Sequence, residues 1–278
     1  MTEKEIRRID ALGISNLEKA DVIRRRQEDM LERLKSNAWF RHLRGPLQRC
    51  DEERCGNNRC VEVCAFADWR RRQLLIPAAY RLFKNAAGPI FEVKVVRGAW
   101  LRRVGDLPDV NIPAIKQMNK RALDSVDIPN LPGLIAVGTF KALIGKSFEP
   151  HWVCQIHQIV AGTDRSGLTR AFRIKRSRGK PDSTTLVEEV KDLAQSISSV
   201  LRADVQGWYH PEPPDDHPFT PTEAQREEFY RWLLSLSFGG RIIRYGCDRY
   251  LNPLDKKPQV TKPKVRKQRS YPAWLTKL

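Results

Sequence analysis

The sequence has no long apolar run and comparatively few acidic residues. No uninterrupted apolar stretch of the 278 residues approaches the roughly 18 needed to cross a bilayer, and Met1–Glu5 is mostly polar or charged. We therefore expect a cytoplasmic protein with no membrane partner, and association with the nucleoid is compatible with this expectation. The sequence also lacks a Gly-rich phosphate loop and a nucleophile-elbow serine, so nucleotide hydrolysis and esterase chemistry have no support.

The shortage of acids leaves a large positive charge. There are 33 Asp and Glu residues against 50 Lys and Arg, which gives a formal net charge of +17. Arginine outnumbers lysine, 32 to 18, and a planar guanidinium binds phosphate bidentately. We expect a polyanionic partner, in the first place DNA; the alternative is a soluble protein that is merely basic. With 41% hydrophobic residues the chain can form a core, which excludes wholesale disorder.

Hydrophobic spacing predicts an α+β fold. Apolar residues at helical spacing predict helices over 16–43, 114–123, 186–203 and 221–236, the third one capped at Asp182–Thr185. Strands are expected at 90–97, 133–145, 151–162 and 241–246, with the second and third forming an antiparallel hairpin. The expected units are a helical segment (1–45), a cysteine module (46–88), an α+β domain (89–253) and a basic, disordered tail (254–278).

Four cysteines lie within fifteen residues: Cys50, Cys55, Cys60 and Cys64. Four thiolates converging on one tetrahedral ion would explain the Gly-Asn-Asn turn between them, because zinc closes a loop that has little core of its own. The spacing predicts a zinc-ribbon-like structural Zn²⁺ site, with His42 as a substitute ligand. The alternative is four reduced cysteines without metal.

The strand at 151–162 carries the candidate catalytic site. Because side chains alternate along a strand, Gln155 and His157 share one face, close enough together to bind one metal ion. Taken alone, a histidine on a strand is more often a hydrogen-bonded structural residue.

The order of elements resembles the HUH (His-hydrophobe-His) endonucleases, in particular rolling-circle plasmid replication initiators and single-strand transposases. The resemblance covers roughly residues 50–205 and is carried by the cysteine segment with its arginines, the strand and helix that follow, and the strand from Pro150 to Gly162. It implies a ferredoxin-like antiparallel sheet with helices on one face. It also implies two metal-binding histidines, Mg²⁺ or Mn²⁺, and a tyrosine that attacks a phosphate in single-stranded DNA.

The chain departs from that family at three places. His157 matches the second histidine, but Gln155 stands at the first, and the acidic position of the preceding strand falls near Thr139. Ser199 stands where the tyrosine is expected and Arg202 where a lysine is expected, so the substitute nucleophiles to test are Tyr209 and Tyr230. The resemblance therefore implies either a DNA-binding protein that has lost strand cleavage or an active metal-dependent nicking enzyme; an unrelated RNA binder is a third reading.

Basic clusters indicate where DNA would bind. Trp69 precedes three arginines directly after the cysteine segment, an arrangement suited to gripping a strand. The tail adds +7, and its last apolar residues, 270–275, are a candidate docking motif for a protein partner. The residues that we expect to contact nucleic acid are Arg70, Arg71, Arg72, Arg102, Arg103, Arg173, Lys175, Arg176 and Arg178.

Overall fold

A computed structural model describes residues 20–33, 47–48, 64–126, 133–145, 150–173, 183–202, 207–208, 221–236 and 239–247. The helices are α1 (Ala20–Arg33), α2 (Ala65–Lys84), α3 (Ile112–Asp124), α4 (Arg165–Phe172), α5 (Leu193–Leu201) and α6 (Glu223–Ser235). The strands are β1 (Ile90–Arg103), β2 (Ile135–Gly145), β3 (His151–Ala161), β4 (Ser183–Glu189), β5 (Gly207–Trp208) and β6 (Ile242–Tyr245). The described part of the chain is thus α+β.

One sheet organises these elements. Its order is β4-β1-β3-β2, with β5 and β6 both paired to β2. All pairings are antiparallel except that of the two-residue β5, which runs parallel to β2. The predicted hairpin of β2 and β3 is confirmed, with Ile135 opposite Ala161 and Gly145 opposite His151.

Apolar side chains cover both faces of the sheet. One face joins aromatic residues of β2 and β3 to helices α3, α4 and α6, and Trp152 stacks against Phe229 with ring centroids 6.1 Å apart. We call this the aromatic face. The other face packs Val137 and Ile159 against α5 and the second half of α2. Because helices lie on both faces, the prediction that they lie on one face is wrong.

Local sequence explains where several helices begin. Asn111 accepts a hydrogen bond from the Ala114 amide at the start of α3, and Pro113 in the first turn has no N–H to leave unsatisfied. Thr222 and Gln225 form a reciprocal capping box at α6. The spacing-based predictions of these two helices are confirmed to within two residues of their ends.

The helix predicted to start near Leu186 is wrong over its first half. Ser183–Glu189 is the edge strand β4, which pairs with β1, and the helix begins only at Leu193 with Asp192 as its cap. The Asp-Ser-Thr-Thr sequence is typical of a helix cap, but Thr184, Thr185 and Val187 are β-branched and fit a pleated strand. Pairing with β1 therefore overrides the local helix signal.

Candidate functional site

Gln155 and His157 lie on the same face of the central strand β3, as the alternation predicts. His157 is opposite Lys94 on β1 and Thr139 on β2, and Gln155 is opposite Lys141 on β2. This face is the one covered by α5, and we call its polar part the histidine face. Both Gln155 and His157 are buried.

Glu92 supplies the carboxylate that sequence reasoning did not find. It lies on β1, and its Oε1 is 2.7 Å from Nε2 of His157 and 3.0 Å from Nζ of Lys94. The acidic position of the HUH pattern falls near Thr139 on β2, where this chain has no carboxylate; the carboxylate comes instead from β1, the other neighbour of β3. Alternation along β1 places Glu92 and Lys94 on one face, but only the pairing of β1 with β3 brings Glu92 within reach of His157.

The surroundings keep His157 neutral near pH 7. Burial lowers the pKa of His157 to about 4; the hydrogen bond with Glu92 opposes this, and the charge of Lys141 adds to it. For Glu92, burial alone would raise the pKa, but His157 and Lys94 hold it at about 2. A neutral His157 therefore donates its Nε2–H to an ionised Glu92. Its Nδ1 carries the lone pair, and this buried atom has no hydrogen-bond partner among the described residues.

Two side chains of β2 anchor the end of α5 over this face. Nζ of Lys141 donates to the carbonyl oxygen of Ser199 at 2.6 Å, and Oγ1 of Thr139 donates to that of Val200 at 2.5 Å. A cation is favourable at a helix C-terminus because the last carbonyls carry partial negative charge. The contacts place the segment that contains Ser199 beside the histidine face.

The candidate nucleophiles have different positions. Ser198 is buried and the side chain of Ser199 is exposed on α5, while Arg202 is the half-buried residue that caps this helix. Tyr230 on α6 packs against the opposite, aromatic face, with its ring 6.2 Å from that of Phe229. The sheet therefore separates Tyr230 from His157, and its assignment as a nucleophile for this site is wrong. Tyr209 lies outside the described residues.

The donors on the histidine face do not suit a divalent cation. Gln155 and His157 are both neutral, and Glu92 is already hydrogen-bonded to His157 and paired with Lys94. The ammonium groups of Lys94 and Lys141 flank the same place and repel a cation. Among the residues that the structure describes, no three His, Cys, Asp or Glu side chains come close enough together to hold a metal ion.

Cys64 is the described member of the cysteine segment. It is buried at the start of α2, where its Sγ accepts a hydrogen bond from the Ala67 amide at 3.4 Å. Nε2 of Gln27 on α1 lies 3.9 Å from the same sulfur. Cys50, Cys55, Cys60 and His42 lie outside the described residues.

Two of the arginines expected to contact DNA are buried instead. The side chains of Arg71 and Arg72 are each 2% exposed, and both pair with Asp68, one turn earlier on α2. Arg241, before β6, lies 3.6 Å from the same carboxylate. Trp69 is also buried, so the expectation that this segment grips nucleic acid is wrong for Trp69, Arg71 and Arg72. The sequence signal for this buried ion cluster is that Asp68 lies three residues before Arg71 and four before Arg72 on one helix.

The described members among the other candidate DNA contacts, Arg102, Arg103 and Arg173, are nearer the surface. Arg103 and Arg173 are exposed, at the end of β1 and just after α4. Arg102 is half-buried, and its Nη1 donates to the carbonyl oxygens of Ala99 and Leu101 at 2.8 Å. The side chain of Arg70, together with Lys175, Arg176 and Arg178, lies outside what the structure describes.

The chain was compared with known protein families, curated proteins and solved structures. It matches no protein-family model, no curated protein and no solved structure. Over the described residues, no helix combines the length and the apolar character needed to span a membrane.

Proposed function

We propose that this chain is a DNA-binding protein built on the sheet of an HUH-type replication initiator, and that it does not cleave DNA through a tyrosine. The observation that carries the proposal is the position of α5. Lys141 and Thr139 anchor its end beside Gln155 and His157, which is where that family places the helix with its nucleophile. Here the segment contains serines and no tyrosine.

The arrangement of strands supports a ferredoxin-like sheet. The order β4-β1-β3-β2, all antiparallel, is the order that two consecutive strand-helix-strand units produce when they interleave. The two connecting helices, α3 between β1 and β2 and α4 between β3 and β4, pack into one core on the aromatic face. Helix α5 follows on the other face, over the candidate site.

The chemistry of the histidine face supports a loss of cleavage. A tyrosine nucleophile needs a metal ion that polarises the phosphate, and the flanking ammonium groups oppose such an ion. An alkyl hydroxyl such as that of Ser199 is also a poorer nucleophile and leaving group than a phenol. Lys141 is buried and bound to the Ser199 carbonyl, so Lys94, whose side chain is 35% exposed, is the ammonium group at this face that a DNA phosphate could reach.

DNA binding and cleavage can be measured together. Incubation with labelled single-stranded DNA and Mn²⁺, followed by a denaturing gel, should show no covalent adduct. A native assay of the same mixture should show a complex that weakens steeply with salt, because each phosphate contact releases a counterion. An adduct that disappears in Tyr209→Phe would overturn the loss of cleavage, and an affinity that does not change with salt would overturn the DNA-binding proposal.

The cysteine segment is proposed to hold a structural zinc. The Ala67 amide that donates to Sγ of Cys64 is the kind of contact that orients a zinc-bound thiolate. Metal analysis of the purified protein should find stoichiometric zinc. Cys55→Ser together with Cys60→Ser should remove it, while Cys154→Ser, at a buried cysteine of β3, should not. Equal zinc content in all three proteins would exclude this site.

A further inference from the structure

A groove of about 900 Å³ runs between α3 and β6, away from the histidine face. Lys116, Gln117 and Lys120 of α3 form one wall, and the consecutive residues 242–246 form the other. Because Ile243 and Tyr245 are in register with β2 residues of the aromatic face, this wall and α3 belong to the same side of the sheet.

The walls are held at a fixed separation. Asn119 of α3 and Gln158 of β3 exchange two hydrogen bonds of 3.1 Å beneath the groove. Oη of Tyr245 donates to Oδ1 of Asp124 at 2.9 Å and ties β6 to the end of α3. A groove fixed in this way can bind a ligand with little ordering cost.

The charges that line the groove are mainly positive. Lys116 and Lys120 stand against Asp124, whose carboxylate is hydrogen-bonded to Tyr245. The side chain of Arg244 is in register with Val137 and so alternates to the opposite face of the sheet. Lys116 and Lys120 are one turn apart on α3, where two like charges destabilise a helix. A polyanion lying along the groove would remove that repulsion.

The size and lining indicate a polymer rather than a small metabolite. About 900 Å³ is at the upper end for a small-molecule pocket, and such pockets are mostly apolar, whereas this one presents cations and amides. Tyr245 adds an aromatic ring beside the cations, and a basic track with an aromatic ring is how proteins hold single-stranded nucleic acid without reading its sequence.

We propose that this groove, which we call the α3–β6 groove, binds a segment of single-stranded DNA. Lys116 and Lys120 contact successive phosphates, and a base stacks on Tyr245. The assignment rests on the proposed DNA-binding function and adds a second contact region, on the opposite side of the sheet from His157.

Salt titrations of DNA binding test the assignment. The affinity of the full chain for a labelled poly-dT oligonucleotide is measured by fluorescence anisotropy over a series of salt concentrations. Lys116→Ala with Lys120→Ala should lower the affinity about tenfold and reduce the slope of log K against log salt by about 1.4, the value for two contacts on a single strand. Tyr245→Leu should weaken binding about fivefold or more and leave that slope unchanged.

Two further variants separate the groove from general charge. Arg81→Ala with Lys84→Ala removes the same charge from exposed positions at the end of α2, the helix end that packs with the face opposite the groove, and should retain the wild-type slope. Lys116→Arg with Lys120→Arg keeps the charge and should retain the affinity. Thermal unfolding of every variant shows whether it is folded.

The outcomes distinguish this inference from the proposed function. A wild-type chain that binds no oligonucleotide at low salt overturns the DNA-binding function, and the groove assignment with it. If the wild-type chain binds but a groove variant has the same affinity and salt slope as the wild type or as the α2 control, the groove assignment alone is overturned. A groove variant that loses affinity for an RNA oligonucleotide but keeps it for DNA would also overturn the assignment to DNA.

Discussion

Asp68 and Glu92 are both carboxylates with little solvent exposure, but different bases surround them. The side chain of Asp68 is 4% exposed and pairs with Arg71, Arg72 and Arg241. That of Glu92 is 16% exposed and pairs with His157 and Lys94. Guanidinium groups stay charged at every ordinary pH, whereas an imidazole does not.

The difference separates a structural cluster from a responsive one. Around Asp68 the burial cost, which alone would raise its pKa, is outweighed by three arginines, so the pKa of Asp68 is lowered and the carboxylate stays ionised. The cluster joins α2 to the residue that precedes β6. Glu92 is hydrogen-bonded to His157, which is neutral and whose buried Nδ1 has no hydrogen-bond partner among the described residues. The protonation and hydrogen bonding of this cluster can therefore change with pH or with a bound group.

The largest expected effect comes from removing the carboxylate of the arginine cluster. Asp68→Ala removes the carboxylate that three buried guanidinium groups share and should lower the free energy of unfolding by about 3–5 kcal/mol. Denaturant unfolding at pH 7 measures it. Asp164→Ala removes an exposed helix cap of α4 instead and should cost only about 1 kcal/mol. Equal losses in the two variants would show that the Asp68 cluster contributes no special stability.

The second effect is a pH dependence of the free energy of unfolding that comes from His157. Its pKa falls from 6.5 in the unfolded chain to about 4 in the folded protein, so between these values the unfolded chain binds more protons. Stability from this group is therefore present above pH 6.5 and is lost as the pH falls toward 4, by up to roughly 3 kcal/mol. The measurement is the free energy of unfolding from pH 7.5 to 4 in the wild type and in His157→Gln.

The His157→Gln variant should show a flatter profile over that range. Glu92 loses its contribution to stability at lower pH, as the pH falls from its ordinary pKa of 4.5 to its folded-state pKa of about 2. The pH ranges over which His157 and Glu92 affect stability are therefore largely separate. Parallel profiles for the wild type and His157→Gln between pH 6.5 and 4.5 would contradict the assignment of a neutral, buried His157.

How much of these clusters could be predicted depends on how far apart their members lie in the sequence. Asp68, Arg71 and Arg72 are on one helix at spacings of three and four, so their pairing was readable, but the charge of the arginines favoured a surface interpretation. Arg241 and Glu92 could not be placed, because their contacts depend on which strands and turns become neighbours. Gln155 and His157 share a face by alternation alone, which the sequence shows directly.

A third, smaller effect is expected at Glu92 itself. Glu92→Gln keeps a hydrogen-bonding group near Nε2 of His157 but removes the charge that partners Lys94, and it should cost about 1–2 kcal/mol at pH 7. It should also lower the pKa of His157 further, since Glu92 raises that pKa. Imidazole NMR signals followed during an acid titration measure this shift. A His157 that titrates at a higher pH in Glu92→Gln would contradict the hydrogen bond between the two residues.

The smallest expected effect concerns the link between the histidine face and α5. Lys141→Met removes the ammonium that binds the Ser199 carbonyl, while Thr139 still binds that of Val200, so the loss should be near 1 kcal/mol. Because the contact is local, amide exchange should accelerate in the last turn of α5 and stay unchanged in α2 around the Asp68 cluster. Lys94→Met, which removes a neighbouring ammonium without a contact to α5 in the described residues, is the matched control. If both variants accelerate exchange in α5 equally, the general charge of the face, rather than the Lys141 contact, holds the helix in place.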